Sequence, residues 1–298
     1  DSVHPSPISA EIHYGLFYIK VLFDEYIDTT PTSLVNLNNA FVSDEAGGHE
    51  IALAGLEVTS FDGYILTIHL VESVRIAAMG YSEGPAGDGK STASVLDLLP
   101  SFVQDIGTNL NLNSVALVMT EYEDEDAPLL LTAAINYTNG VLVIHAQETL
   151  GVQSLPGAQN LSAYVLRNIT NVPDNHNIGL QEVRLGGPDN VFNLDSILAG
   201  QSSTILEASN QMYITIQLTE SQRVRAIALS GTPGGDLHSV VLETDAAATV
   251  DVRGNPSDPQ LDITVTESPD IQHPKPLSAT LDLNTGVLAI TCDETVDV

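Results

Sequence analysis

The sequence predicts an all-β chain built from tandem β-sandwich repeats, with short helices in the connections. Three observations predict this fold. First, a segment of 29 residues recurs without gaps along the chain. Second, apolar and polar residues alternate on either side of turn residues, which is the pattern of β-hairpins. Third, 43% of the 298 residues are hydrophobic and only 16% are charged, a composition typical of globular rather than disordered chains.

The recurring segment defines the predicted repeats. Its first and third copies share nine of 29 residues, and its second and third copies share 11 of 29. Such self-similarity is a sign of a repeat architecture. The three copies are found at residues 1–29, 124–152 and 270–298. We therefore predict a first repeat at 1–123, a second at 124–269, and the first hairpin of a third at 270–298.

Each copy of the segment has the signature of a hairpin. In the third copy, Leu281 lies in one alternating stretch, Asn284-Thr-Gly286 supplies a turn, and Leu288 lies in a second alternating stretch. In the first copy, Gly15-Leu-Phe17 stands where the third has Asn-Thr-Gly. We therefore expect the first hairpin of the chain to be reshaped.

A second block repeats after each hairpin. Residues 66–75 (LTIHLVESVR) lie over residues 214–223 (ITIQLTESQR). The start of each block alternates as a strand does, and the following residues, 72–79 and 220–229, suit a short helix. In the second helix, Thr219 and Gln222 have the spacing of a capping box.

The second repeat is longer than the first. Equivalent positions are 123 residues apart in the hairpin but 148 residues apart in the second block. The second repeat therefore contains an insertion, which we place near residues 171–203. Insertions of this kind are tolerated best in surface loops.

The order of these motifs resembles that of bacterial-type Ig-like repeats. The motifs are the turn and strand NTGVLAITCDETVD at 284–297, the strand ending LTIxL, and VDVRGNP at 250–256; in the first repeat, Asp105-Ile-Gly107 lacks the Asn-Pro. The resemblance is to the long arrays of such repeats in secreted proteins of algae and other protists, including flagellar hair (mastigoneme) proteins. It implies tandem Ig-like β-sandwiches at an extracellular location. We predict a structural subunit of an extracellular filament or hair-like fibre, whose partners are copies of itself placed head-to-tail. The alternative is a cell-surface adhesin or ligand-binding Ig-like module.

Charge and composition exclude several partners. Nine basic residues against 39 acidic ones give a net charge of −30, which repels nucleic acid and anionic lipid. Membrane insertion is not predicted, because no apolar run approaches the roughly 18 residues of a membrane-spanning helix. The single cysteine, Cys292, excludes an internal disulfide framework. Because the sequence opens at Asp1 without Met, we expect it to be a processed or excised piece.

An acidic cluster at the first repeat boundary is the candidate metal site. Glu121, Glu123, Asp124 and Asp126 could together hold Ca²⁺, which takes several oxygen ligands. No other cofactor is predicted. The alternative is a solvated acidic linker, because the next boundary has only Glu267 and Asp270.

Two catalytic patterns overlap but lack the required context. Residues 80–84 fit G-x-S-x-G and residues 84–91 fit G-x-x-x-x-G-K-S. Both motifs act at a strand-to-helix turn, whereas here a predicted helix precedes them and a predicted strand follows. We therefore predict a glycine-rich connector, and no enzymatic activity.

Three N-glycosylation sequons lie in the second repeat. They begin at Asn136, Asn160 and Asn168. Such sequons are used on the surfaces of secreted proteins, so we predict N-linked glycans and an extracellular location.

The last hairpin carries an apolar face for which the sequence offers no cover. Leu281, Leu283, Leu288 and Ile290 lie on this face, and an isolated hairpin is marginally stable in water. Two arrangements would cover it: continuation of the chain into a third repeat, or insertion into a neighbouring copy.

Overall fold

The computed structural model describes residues 2–45, 47–59, 63–83, 92–152, 159–168, 182–186, 203–207 and 209–296. The chain forms two compact units, residues 1–126 and 127–298. Strands dominate both units, and the helices are short and lie in connections. The all-β prediction is therefore confirmed, whereas the repeat boundaries at 123/124 and 269/270 stay predictions.

The first unit is one continuous sheet. Its strands are β1 (Pro7–His13), β2 (Tyr18–Asp28), β3 (Ala40–Ser43), β4 (Ile51–Ala52), β5 (Glu57–Val58), β6 (Gly63–His69), β7 (Val95–Leu98), β8 (Gln104–Asp105) and β9 (Ser114–Tyr122). Helix α1 (Glu72–Met79) follows β6, and 3-10 turns occupy Thr32–Leu34 and Leu37–Asn39. The strand order is β4-β3-β7-β9-β1-β2-β6-β5, with β8 paired to β2.

The second unit repeats this order. Its strands are β10 (Leu130–Asn136), β11 (Val141–Leu150), β12 (Tyr164–Asn168), β13 (Glu182–Arg184), β14 (Thr204–Ile205), β15 (Gln211–Gln217), β16 (Val240–Thr244) and β17 (Gln260–Ser268), followed by β18 (Pro276–Asp282) and β19 (Val287–Cys292). Helix α2 spans Glu220–Ala228, and a 3-10 turn spans Leu161–Ala163. The sheet order is β13-β12-β16-β17-β10-β11-β15-β14, and β18 and β19 form a separate two-stranded sheet. Replacing each strand by its repeat equivalent converts one eight-strand order into the other.

One strand in each unit divides its pairing between two neighbours. The first half of β9 runs antiparallel to β7, with Val118 opposite Val95, and its second half runs parallel to β1, with Met119 opposite Ala10. Strand β17 pairs with β16 and β10 in the same way. A strand that changes partner along its length lets a sheet curl over its own core.

Alternation explains which side chains enter the cores. Successive strand residues point to opposite faces, and in the central parts of β1, β2 and β6 buried residues alternate with residues that are not buried. The buried residues of these strands include Ala10, Ile12, Ile19, Val21, Leu66 and Ile68, and their equivalents in the second unit are Ala133, Ile135, Leu142, Ile144, Ile214 and Ile216.

The first hairpin keeps the geometry of the others, so the expected reshaping is wrong. Its closing pair is His13 opposite Tyr18, in the same place as Asn136 opposite Val141 in the second unit. Phe17 takes the left-handed conformation, with φ +58°, that Gly140 has at φ +67°. This conformation costs a non-glycine residue about 1–2 kcal/mol.

A contact made by the Phe17 side chain offsets that cost. The Arg75 guanidinium lies 4.6 Å from the centre of the Phe17 ring. A cation placed over an aromatic face is attracted to it by about 0.5–2 kcal/mol. The geometry of the turn is therefore kept without a glycine.

The predicted helices form where expected. Helix α2 begins with a capping box, in which Gln222 N–H donates to the Thr219 hydroxyl and Thr219 N–H donates to Gln222 Oε1. At the equivalent position of α1, Val71 provides no side-chain cap. Among the described residues, no helix is long and apolar enough to cross a membrane.

Candidate functional site

Glu121, the first predicted metal ligand, is a hydrogen-bond acceptor inside the first unit. It lies near the end of β9, where its carboxylate accepts from Ser94 N–H at 3.0 Å, Ser94 Oγ at 2.8 Å, Tyr14 Oη at 3.2 Å and Glu83 N–H at 3.0 Å. The carboxylate therefore ties the strand end to the residues on either side of the glycine-rich connector. In the second unit, Glu267 similarly accepts from Tyr137 Oη at 2.6 Å.

Asp124, the next residue of the cluster, is ion-paired. Its carboxylate lies 2.5 Å from Nη1 of Arg75, and both side chains are almost completely buried. Arg75 also makes a two-pronged pair with Glu72, at 2.6 Å and 2.8 Å. Glu72 lies one helical turn before Arg75 in α1. Its two hydrogen bonds orient the guanidinium toward Asp124.

Two of the four predicted calcium ligands share one location. A Cβ at Gly15 would lie 3.1 Å from Asp124 Oδ1 and 3.1 Å from Asp126 Oδ2. Asp126 N–H also donates to Asp124 Oδ1 at 3.2 Å. Glu123 is exposed, and Glu121 faces the neutral donors described above. The calcium site therefore stays a prediction, with Asp124 and Asp126 as the pair that the fold brings together.

The arginine cluster of the first unit has a counterpart in the second. Arg223 of α2 pairs with Glu220 at 2.7 Å and 2.8 Å, and with Asp270 at 2.5 Å. Arg75 and Arg223 each also donate to the carbonyl of a buried tyrosine that follows the first strand of its unit, Tyr14 or Tyr137. The second cluster includes Glu294, 3.3 Å from Arg223 Nη2.

Ion pairing shifts the titration of this second cluster. The hydrogen bond to Glu220 raises the pKa of Arg223, against the smaller opposing effect of burial. Burial acts to raise the pKa of Glu220, but the hydrogen bonds from Arg223 and Thr295 outweigh it and lower that pKa overall. Both side chains are therefore charged at neutral pH.

Sequence reasoning missed both arginine clusters. The signal was present, because Glu-Ser-x-Arg occurs in both copies of the second block, and the recurring 29-residue segment begins with aspartate each time. Each partner lies 47 or 49 residues from its arginine, so the pairing depends on the fold rather than on local spacing.

A second acidic pair lies within the first unit. Burial raises the pKa of Glu25, and the nearby Asp105 raises it further. Glu25 Oε1 is a buried atom with no hydrogen-bond partner among the described residues. Asp105 itself accepts from the backbone and side-chain amides of Asn109, at 2.6 Å and 2.7 Å.

In the first unit, which lacks the Asn-Pro of the second, Asn109 donates the hydrogen bonds that close the equivalent loop. In the VDVRGNP loop of the second unit, Asp251 accepts from the backbone and side-chain amides of Asn255, both at 2.8 Å. Both interactions close a loop over the same four-residue separation. The loop is thus held in the same manner despite the different sequence.

The three sequon asparagines occupy different environments. Asn136 ends β10 and is exposed, and its side-chain oxygen accepts from Thr138 N–H at 2.9 Å. Asn160 is also exposed and accepts from Ser162 Oγ at 2.5 Å. Asn168 is half-buried, and its side-chain nitrogen donates to Asp236. Asn136 and Asn160 are therefore the accessible acceptors.

The two catalytic patterns and the predicted insertion lie only partly within the described residues. Ser82 of the G-x-S-x-G pattern lies after the end of α1, rather than at a strand-to-helix turn. Residues 84–91, which fit the phosphate-loop pattern, lie outside the described residues. Most of the predicted insertion, residues 171–203, also lies outside them; of the described part, β13 pairs with β12.

Comparison with known proteins gives only distant likenesses. No protein-family model matches the sequence, and no curated protein matches it significantly. Among solved structures, the N-terminal part of the bacterial S-layer protein SbsC is similar at 10% identity and a TM-score of 0.24, over 73% of this chain and 44% of that one. The S-layer protein rSbsC(31–844) is similar at 11% identity and a TM-score of 0.25, over 97% of this chain and 32% of that one. A marsupial T cell receptor is similar at 12% identity and a TM-score of 0.20, over 94% of this chain and 77% of that one. Likenesses this weak carry no conclusion about this chain.

Proposed function

We propose that the chain is a structural subunit of an extracellular filament or hair-like fibre, assembled from tandem Ig-like units and without catalytic activity. The observation that carries this proposal is the duplicated strand order, followed by a third hairpin of the same kind. Repeated units of one design give a chain axial periodicity, and each unit contacts chiefly its neighbours. The resemblance to repeat arrays of flagellar hair proteins points to the same role.

The charge of the chain supports an extended assembly. A net charge of −30 makes lateral association of like fibres unfavourable while leaving end-to-end contacts possible. The proposed partners are copies of the chain in head-to-tail contact, which builds an open fibre when successive contacts do not close into a ring.

Immunogold labelling of the cells that make the protein would test this role. With an antibody against this chain, gold particles should decorate extracellular fibres at a regular axial spacing. Diffuse labelling of the cell surface, with no labelled fibre, would contradict the filament. Labelling confined to the cytoplasm would contradict the extracellular location as well.

An exposed apolar patch on the first unit favours the second candidate, an adhesin. Leu22 lies opposite Ile65 across β2 and β6, and both are exposed. The rings of Tyr26 and Tyr64, both about half exposed, meet edge to face with their centres 4.9 Å apart. Exposed apolar patches mark interaction sites.

Substitution of the two tyrosines tests this second candidate. If the chain is an adhesin, Tyr26→Ser with Tyr64→Ser should abolish its binding to target cells. If it is a filament subunit, the double substitution should not change cell binding.

The extracellular proposal also predicts glycans at specific positions. Asn136 and Asn160 should carry N-linked sugar at high occupancy, because both side chains are exposed. Asn168 should be occupied less, since its side-chain nitrogen is engaged by Asp236. Glycopeptide mass spectrometry of native material measures the three occupancies. Three bare asparagines would count against passage through a glycosylating secretory route.

A further inference from the structure

The C-terminal hairpin, β18 and β19, has the register of the hairpin that opens each unit. Ala279 lies opposite Ile290 and Leu281 opposite Leu288, just as Ala133 lies opposite Ile144 in the second unit. All three hairpins have a register shift at the same place, between Pro7 and Ser9, between Leu130 and Thr132, and between Pro276 and Ser278. The hairpin is therefore already formed as the start of such a unit.

The face that is buried in both units is open to solvent in this hairpin. Leu281, Leu288 and Ile290 are 57%, 59% and 58% exposed, and Leu283 is 86% exposed. Their equivalents in the second unit are at most 1% exposed; these are Ile135, Leu142, Ile144 and Tyr137. The apolar side chains are thus in core positions without a core.

The two complete units show what covers the equivalent face. In the second unit, β15 runs antiparallel beside β11, with Ile214 opposite Ile144. Strand β17 runs parallel beside β10, with Val265 opposite Ala133. The first unit has the same arrangement with β6 and β9. Within the described part of the chain, β18 and β19 pair only with each other.

Polar contacts at its base hold the hairpin in place. Glu294, just after β19, pairs with Arg223 of α2 at 3.3 Å, and Thr295 N–H donates to Glu220 Oε1 at 2.9 Å. Asp270, on the approach to β18, pairs with the same arginine at 2.5 Å. The hairpin is therefore fixed to the second unit through its ends, while its apolar face stays uncovered.

We infer that this face is an interaction surface for the hairpin-less remainder of an Ig-like unit of the same repeat type. This occupant would supply one antiparallel strand beside β19 and one parallel strand beside β18, with the apolar alternation of β15 and β17. Neither unit of a second copy fits this face, because each already contains its own opening hairpin; head-to-tail contact between copies would therefore use other surfaces. The inference rests on the proposed tandem-array function and defines how the array adds its next unit.

A chain extended in register would test the inference. Val298 is equivalent to Val152 in the repeat alignment, so residues 153–269 are appended directly after Val298. The remaining strands of a unit then follow the hairpin at their natural spacing. Hydrogen exchange of the amides in 287–292 should slow by about 100-fold or more relative to the unextended chain, as expected when an exposed edge becomes a core strand.

Matched variants of the extended chain show whether the apolar face causes the slower hydrogen exchange of the hairpin. Leu288→Asp with Ile290→Asp should restore fast exchange in the hairpin, whereas Ala289→Asp, on the opposite face, should leave it slow. Amides 141–146, in the second unit's own hairpin, report that this unit remains folded in every variant.

Three results would overturn the inference. The first is fast exchange in 287–292 of the extended chain while 141–146 stay protected, whether or not the appended residues fold. The second is equal protection of amides 287–292 in the Leu288→Asp, Ile290→Asp variant and in the Ala289→Asp variant. The third is concentration-dependent self-association of the unextended chain with its hairpin protected, which would make a second copy the occupant. None of these depends on whether fibres are labelled in cells, so the filament proposal stands or falls separately.

Discussion

At the scale of single residues, two buried arginines organise the ends of the two units. Arg75 and Arg223 occupy equivalent positions, and each joins a helix glutamate to an aspartate that follows the last strand of the sheet. Buried ion pairs add little net stability when intact, but removing one partner leaves an uncompensated buried charge. Substitution of either arginine should therefore destabilise its unit, because it leaves a buried or half-buried carboxylate without its partner.

Arg75→Met should destabilise the first unit strongly. The side chains of Arg75 and Asp124 are 0% and 1% exposed, and breaking a buried pair costs about 3–5 kcal/mol. Arg184→Met is the matched control, because Arg184 is 44% exposed in its pairs with Glu182 and Asp245, and exposed pairs contribute about 0–1 kcal/mol. Urea unfolding measures both changes. Equal effects of the two substitutions would contradict the structural role of Arg75.

Acid should weaken the Arg223 cluster through Glu220. Hydrogen bonds from Arg223 and Thr295 outweigh burial and lower the pKa of Glu220 below its ordinary value of 4.5. The pairing therefore stabilises the fold above the ordinary glutamate pKa, and this stability is lost as the pH falls through the lowered pKa. Glu220→Gln should flatten the fall in urea midpoint between about pH 6 and 3.

A double-mutant cycle checks the origin of that pH dependence. In an Arg223→Met background, Glu220→Gln should change the pH profile much less than it does alone. An undiminished effect in that background would show that Arg223 is not the source of the stabilisation.

At the scale of elements, the sequence predicted the hairpins and helices well, because their signals are local. Alternation and turn residues located β10 and β11, and the Thr219–Gln222 spacing located the start of α2. The prediction failed at the first turn, where Phe17 keeps a conformation expected of glycine. That outcome depends on Arg75, whose contact with the Phe17 ring exists only once the unit has folded.

Exchanging the cap residues of the two helices should stabilise the first unit and destabilise the second. Thr219 caps α2, whereas Val71, the N-cap residue just before α1, makes no side-chain cap although its backbone is similarly extended, with φ −84° and ψ 155°. A capping hydroxyl contributes about 1 kcal/mol. Val71→Thr should therefore stabilise the first unit, and Thr219→Val should destabilise the second, each by about that amount. Calorimetry of the single variants measures the changes; shifts of the same sign would contradict the capping argument.

At the scale of the whole molecule, the sequence predicted the repeat architecture but not which acidic residues come together. Residues 121–126 look like one cluster in the sequence, yet Glu121 accepts from neutral donors, Asp124 pairs with Arg75, and Glu123 is exposed. Charge counts predict the overall field of a protein, whereas the partner of each carboxylate depends on long-range packing. The same limit explains why Glu25 and Asp105 were not recognised as neighbours.

Salt and calcium should have separable effects on this acidic chain. With a net charge of −30, repulsion between carboxylates opposes folding, so added NaCl should raise the melting temperature gradually by screening. A specific calcium site should add a saturable increase in stability at equal ionic strength, worth about 2.7 kcal/mol when free calcium is 100 times its dissociation constant.

Glu123→Gln with Asp126→Asn should remove the calcium increment but keep the NaCl response. Glu125→Gln, within the same acidic stretch but outside the predicted ligand set, should keep both. If calcium and sodium act alike at equal ionic strength, the predicted site is wrong and the segment is a solvated acidic linker.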